Sequence, residues 1–236
     1  MSWERNTDES SQSAEKSAAT EGFDYRSFMA SHASATVLNY PSGNMVYAQG
    51  DPANALYYII DGTVKVTIVS KSGKEGVIAF LGTRSFFGKD CLYSQHRVAT
   101  MTAMRTCTFA RITKELVTRA LEEDQHFAKS LVGYTLGENA KLREELTDHL
   151  FNSSEKRLAR ILLTLANAAS GERSNAIPVP VTQETLAQMV GTTRARINHF
   201  MTKFRRLGYV EYDGKIRVHE SLTEFVTSSE RHNLEC

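Results

Sequence analysis

Cysteine is scarce in this sequence, long apolar runs are missing, and net charge is almost nil. Cys91, Cys107 and Cys236 lie far apart, with no CxxC pair and no histidine at ligand spacing. Neither a disulfide framework nor a zinc ribbon is therefore expected. The three read as buried or terminal free thiols, with a redox role left open for Cys236 at the chain end. The longest apolar stretch, Val181 to Val190, is interrupted by Gln and Glu and is too short to cross a bilayer. Met1 to Glu21 is rich in Ser, Glu and Thr and has no basic, apolar leader, so a cytoplasmic location is expected. What is present, 41% hydrophobic and 23% charged residues over 236 positions, suits a soluble globular chain of one large or two ordinary domains. Wholesale disorder, a collagen-like repeat and a coiled-coil rod are excluded.

The texture changes along the chain. Residues 1–22 hold five acids against Arg5 and Lys16 with few large apolar groups, and read as a disordered tail. Between Val37 and Ile112 short β-rich runs recur at Met45–Ala48, Leu56–Ile60, Val64–Val69, Val77–Leu81, Val98–Met104 and Cys107–Ile112. Turn residues separate them, and Asp61-Gly62 between two apolar runs reads as a type I′ hairpin turn. Many short strands at this spacing predict an antiparallel barrel, sandwich or jelly-roll-like module within 23–123.

From Thr113 the periodicity turns helical. Phe127, Leu131 and Tyr134, then Leu142, Leu146 and Leu150, recur at three- and four-residue steps with a break near Gly137–Asn139, which predicts a long helix over 124–151. That helix either lies on its own domain or pairs with a second copy; Gly133 and Gly137 lower its propensity but permit a close approach. Asn152-Ser153-Ser154 then caps another helix, Glu155–Ala169, and Ser170–Pro180 reads as a loop.

The segment 182–218, within a C-terminal region 152–236, carries the chemistry. A short helix after the N-cap Thr182, a turn at Gly191-Thr192-Thr193, a helix from Arg194 to Leu207 and a hairpin turning at Asp213-Gly214 compose a winged helix-turn-helix. Ile197, Phe200, Met201, Phe204 and Leu207 make the buried stripe of the second helix, leaving Arg194, Ala195, Asn198, His199 and Thr202 outside. Arg and Asn have the forked groups that match guanine and adenine edges. Between Gly191 and Val210 stand five cations, Arg194, Arg196, Lys203, Arg205 and Arg206, and no acid. The net charge of +1 thus conceals a local basic footprint.

Val181-Thr-Gln-Glu-Thr-Leu-Ala-Gln-Met-Val-Gly-Thr-Thr-Arg194 resembles the helix-turn-helix of the cyclic-AMP receptor protein and fumarate-nitrate regulator (CRP/FNR) family of bacterial transcription factors. Gly50-Asp51-Pro52, Tyr57 to Gly62 and Phe87-Gly88 match turn positions of that family's cyclic-nucleotide-binding-type β-roll. The resemblance spans about residues 28–222. It implies an α+β fold: an antiparallel β-roll sensor domain, a long dimerisation helix and a C-terminal winged helix-turn-helix domain. It also implies a homodimer that inserts Arg194–Arg206 into successive major grooves of a pseudo-palindromic double-stranded site, with RNA polymerase as a further partner and no membrane. The DNA-contacting set is then Thr182, Gln183, Thr192, Thr193, Arg194, Arg196, Asn198, His199, Lys203, Arg205 and Arg206. Ala195 replaces an acidic residue common in the family and His199 an arginine, so the usual half-site is not expected.

The sensor departs further. Cyclic-AMP-binding members of the family carry Gly-Glu and Arg-Ser pairs where this chain has Gly88-Lys89 and Arg97-Val98, and a Thr-Ser pair where Leu142 and Arg143 stand. Lys89 has no carboxylate to accept a ribose hydroxyl, so cyclic AMP is not expected and the effector is unknown. Gly88, Lys89 and Arg97 stay as an effector pocket in which Lys89 and Arg97 gather a different anion, or else are ion-paired. No cofactor or metal is expected: no cysteine lies in residues 1–36, and the seven histidines are scattered. A cupin-type β-barrel enzyme is the competing class, but its metal triad needs more than His96, the one histidine in residues 37–112. Enzymatic activity is not expected.

Overall fold

Gly62 decides how the β-rich segment folds. In the computed structural model, which describes residues 23–167, 176–177, 180–213 and 215–228, Gly62 adopts φ 120°. A Cβ there would stand 2.3 Å from Cys107 Sγ, so only glycine lets the backbone pass. The strand before it, β3 (Ala55–Asp61), belongs to a sheet ordered β1-β8-β3-β6; the strand after it, β4 (Val64–Val69), belongs to a second sheet ordered β2-β7-β4-β5. The remaining strands are β1 (Thr36–Tyr40), β2 (Met45–Tyr47), β5 (Glu75–Leu81), β6 (Phe86–Phe87), β7 (Thr100–Ala103) and β8 (Cys107–Thr113), and all pairing is antiparallel. Asp61-Gly62 is therefore a corner between sheets and not the hairpin turn its composition predicts. A type I′ turn needs positive φ at both centres, and Arg84 is the one non-glycine residue with positive φ among the described residues. Two strands escape the sequence pattern: β6, which is two residues long, and β1, whose residues are largely exposed.

Between the sheets pack Tyr57, Ile59, Val64, Val66, Phe87, Met101 and Phe109. Outside the first sheet a second cluster gathers Phe28 from helix α1 (Tyr25–Ser31), Leu116 and Val117 from α2 (Lys114–Glu123), and Phe127 and Leu131 from α3 (Gln125–Phe151). The sequence pattern does not disclose α1; Asp24 caps it by accepting from the Arg26 and Ser27 amides at 3.0 and 3.2 Å. Thr113 and Asp124 cap α2 and α3 in the same way.

The long helix does not present one apolar stripe. Phe127 and Leu131 are buried and Tyr134 packs edge-on against Phe86, all on the chain's own β-roll. Val132, Leu136, Leu142, Leu146 and Leu150 are more than half exposed. The helix is thus amphipathic twice over, with one side used and another left bare.

Beyond it, α4 (Ser154–Asn167), α5 (Gln183–Val190), α6 (Arg194–Arg206), the antiparallel pair β9 (Val210–Asp213) and β10 (Lys215–Val218), and α7 (Ser221–Ser228) share a third core. Leu158, Leu162, Leu186, Val190, Ile197 and Phe204 form its centre. Phe80 and Met104 of the β-roll pack against that core, and α5 lies on the edge strand β5. Ala176 bridges to Arg217, and the Ile177 amide donates to Ile216 O at 2.8 Å, widening the β9–β10 pair. The expected tail 1–22, most of the 170–180 loop, Gly214 and Cys236 lie outside the described residues.

Candidate nucleic-acid interface

Each end of the α5–turn–α6 unit is fixed by a local device. Thr182 Oγ1 accepts from the Thr185 amide at 3.1 Å and starts α5. Gly191 ends it at φ 69° and ψ 46°, the left-handed cap that lets its amide reach Ala187 O and Gln188 O. The Thr192 amide also returns to Ala187 O, at 3.0 Å. Thr193 then caps α6 through the Arg196 amide. Ile197, Phe200 and Phe204 seat α6 on α4 and α5; Leu207, expected inside, is 48% exposed because the helix has already ended.

The outer side of α6 carries Arg194, Ala195, Asn198, His199, Thr202, Arg205 and Arg206, all exposed. Gln183 of α5 donates to Asn198 Oδ1 at 3.2 Å, so the two amides meet over the groove between the helices. That open groove, about 920 Å³, is walled by Gln183, Arg194, Asn198 and Arg205 on one side and by Tyr212 and Lys215 of β9–β10 on the other. Tyr212 and Lys215 join the site only in the structure, although Lys215 belongs to the same basic segment of sequence. Arg196 turns its guanidinium 5.9 Å over the Phe200 ring. Lys203 is not directed outward. Its ammonium lies 2.8 Å from Glu155 Oε1 of α4, an ion pair inside the same unit.

Of the two roles open to Lys89 and Arg97 in the β-roll, gathering an anion or pairing with an acid, each is seen in the second. Arg97 is buried, pairs with Asp90 Oδ1 at 2.6 Å, donates to Gly88 O and Ala55 O, and lies 4.2 Å over the Tyr47 ring. Asp90 also takes the Val98 amide at 3.1 Å. Lys89 pairs with Glu138 of α3 at 2.5 Å and sits 5.0 Å over the Tyr134 ring, while the Tyr134 hydroxyl donates to the other Glu138 oxygen. Both cations are paired from within, and for Arg97, which is buried, a missing partner would be costly; Lys89 is part-exposed. Gly88 is required here: at φ 76°, a Cβ would come 2.8 Å from Arg97 Nη1. Asp90 and Glu138 escaped sequence reasoning because each meets its partner through tertiary packing, at no helical or strand spacing. Arg97 Nε and the Tyr47 hydroxyl are buried without a hydrogen-bond partner.

Burial raises the pKa of several groups in the β-roll. The Cys91 thiol is pushed up to about 11 against the opposing pull of Arg97, and burial likewise raises Cys107, Tyr47 and Tyr134. Both cysteines therefore persist as thiols at neutral pH. Among the described residues no cluster of three or more His, Cys, Asp or Glu side chains gathers as a metal site. Among them, too, no helix is long and apolar enough to cross a membrane.

Residues 37–124 match the cyclic nucleotide-binding domain, and residues 156–221 match the Crp-like helix-turn-helix domain. The chain belongs to the CRP/FNR family. It is a DNA-binding transcription regulator. The chain is 25% identical over 181 residues to the CRP-like cAMP-activated global transcriptional regulator of Mycobacterium tuberculosis (strain H37Rv), covering 75% of this regulator and 81% of that one. With the cAMP-activated global transcriptional regulator CRP of Escherichia coli O157:H7 it shares 25% identity over 179 residues, 75% of this chain and 85% of the other. The fold recurs in FixK2 from Bradyrhizobium japonicum at a TM-score of 0.69 and 17% identity, covering 80% of this chain and 96% of that one. It recurs also in the c-di-GMP responsive regulator CLP of Xanthomonas campestris, at a TM-score of 0.64 and 21% identity over 83% and 99% of the two chains.

Proposed function

We propose that this regulator reads DNA as a homodimer and that its β-roll does not bind cyclic AMP. One observation carries the DNA-reading geometry. The outer side of α6 bears Arg194, Asn198, His199, Arg205 and Arg206 and no acid, and its Arg194, Asn198 and Arg205 line an open groove beside the β9–β10 wing. On this reading Arg194, Asn198 and His199 contact base edges near the start of α6. Thr182, Gln183, Thr192, Thr193, Arg196, Arg205 and Arg206 then serve the phosphates or position those readers. Lys203, engaged by Glu155, makes the weakest claim to a phosphate.

The bare side of α3, with Val132, Leu136, Leu146 and Leu150, supports pairing with a second copy, which makes the DNA site pseudo-palindromic. Division of the chain into a tail (1–22), a sensor (23–123), a dimerisation helix (124–151) and a DNA-binding domain (152–236) follows the same reading. RNA polymerase is the further partner of a regulator of this kind.

The internal pairing of Arg97 with Asp90 and of Lys89 with Glu138 supports independence from cyclic AMP. The opposite reading draws on relatives whose names call them cAMP-activated, and on the unpartnered Arg97 Nε and Tyr47 hydroxyl. Gel shifts of purified protein on DNA selected from a random library, with and without cyclic AMP, separate the two. Equal binding in both arms is expected; binding that requires cyclic AMP overturns the proposal.

A further inference from the structure

We infer that Arg157 sets the separation of the two DNA-reading helices, and with it the half-site spacing that the regulator accepts. The inference rests on the homodimer reading above.

The last carbonyls of a helix have no partner within it and carry the negative end of its dipole. Arg157, near the start of α4, answers two such ends with one side chain. Its Nη1 donates to His149 O at 3.3 Å and Asn152 O at 2.9 Å, at the end of α3. Its Nε donates to Val190 O at 3.1 Å, the last residue of α5. A planar guanidinium can bridge both in a fixed geometry; an ammonium cannot.

Val190 immediately precedes the Gly191-Thr192-Thr193 turn that launches α6. Gly191 rests against the end of α3, where a Cβ would stand 3.0 Å from His149 Cε1. Two further contacts stiffen the joint: Arg160 ion-pairs with Asp148, and Asn152 Nδ2 donates to Asp148 Oδ1 at 2.8 Å. The start of α6 is thereby indexed to the end of α3 without a free linker. If α3 lies along the dimer axis, this index fixes how far each α6 stands from that axis. Successive major grooves on one side of B-DNA are about 34–36 Å apart, so an error at the joint is felt as a wrong spacing. Arg157 lies outside the groove-lining set, and its guanidinium is engaged by the two helix ends, so its influence is positional.

The test is selection of double-stranded DNA from a random library by the full chain, followed by gel shifts on the selected site, on a single half-site, and on versions with the spacing changed by about two base pairs. Wild type should select paired, inverted half-sites at one spacing. In R157Q the same half-site sequence should emerge and single half-site affinity should stay within about twofold, while preference for the selected spacing falls about tenfold, the size of an ordinary coupling between sites. R157K keeps the charge but not the fork, and should lose part of that preference; it carries the test if R157Q does not fold by thermal melting. A wild-type spacing preference in whichever variant folds overturns the inference. Equal losses on the half-site and the full site also overturn it, since they reveal only a structural role. A wild type that selects unpaired half-sites removes the homodimer reading and this inference with it.

Discussion

Arg194 opens α6 with its side chain exposed, one residue after the Thr193 cap. Arg194→Ala is expected to weaken specific DNA binding by about 1–3 kcal/mol, read as a shift in gel-shift midpoint; an unchanged midpoint removes Arg194 from contact with bases or phosphates. Arg97 illustrates the other fate of a cation. The sequence leaves it as an anion site or as half of an ion pair, and in the structure it is paired with buried Asp90. Asp90→Ala leaves that guanidinium uncompensated and should destabilise the protein by about 3–5 kcal/mol in chemical denaturation. A loss well under ~1 kcal/mol would mean that Arg97 has found another partner or solvent. Arg194 was legible from sequence because its role depends on local helical phase. The Arg97–Asp90 pair was not, because Gly88, Ala55 and Tyr47 jointly bury it from distant parts of the chain.

At the scale of elements, the helix-turn-helix could be read almost to the residue, since its caps and apolar spacing are encoded within a few positions. Its boundaries depend on Thr182, Gly191 and Thr193, each acting on its own neighbours. The Asp61-Gly62 corner is not legible for the converse reason: its geometry depends on Cys107, 45 residues after Gly62, and composition alone does not distinguish a turn within one sheet from a passage between two. The long helix was half legible. Its periodicity gave the element, but which leucines face the chain's own β-roll depends on where that β-roll stops. Leu146, 60% exposed, lies on the bare side. Leu146→Glu should therefore leave the fold intact while shifting sedimentation toward the monomer and weakening full-site DNA binding; an unchanged sedimentation coefficient counts against pairing through α3. A large loss of thermal stability in the monomer would instead place Leu146 in the chain's own core.

For the molecule as a whole, near-neutrality hides an uneven distribution: five cations and no acid between Gly191 and Val210, against five acids and two bases in the first 22 residues. Affinity for DNA should fall steeply between ~50 and ~200 mM salt, because each neutralised phosphate releases counterions. A flat salt series would mean that Arg205 and Arg206 do not meet the backbone. The corner at Gly62 has a further consequence, for the order in which the chain matures. Because the path leaves one sheet for the other there, each sheet is closed by strands from opposite ends of the β-rich segment; Asn39 and Thr108, hydrogen-bonded across β1 and β8, are 69 positions apart. Closure over such a distance loses chain entropy before any pairing compensates it, and folding slows as contacts become less local. The helical unit also closes over a long span, since α4 packs on α7, but no strand ladder joins those two helices. The β-roll, though its first strands are synthesised early, therefore matures late: until β8 arrives β1 and β3 are strands without the partner that joins them.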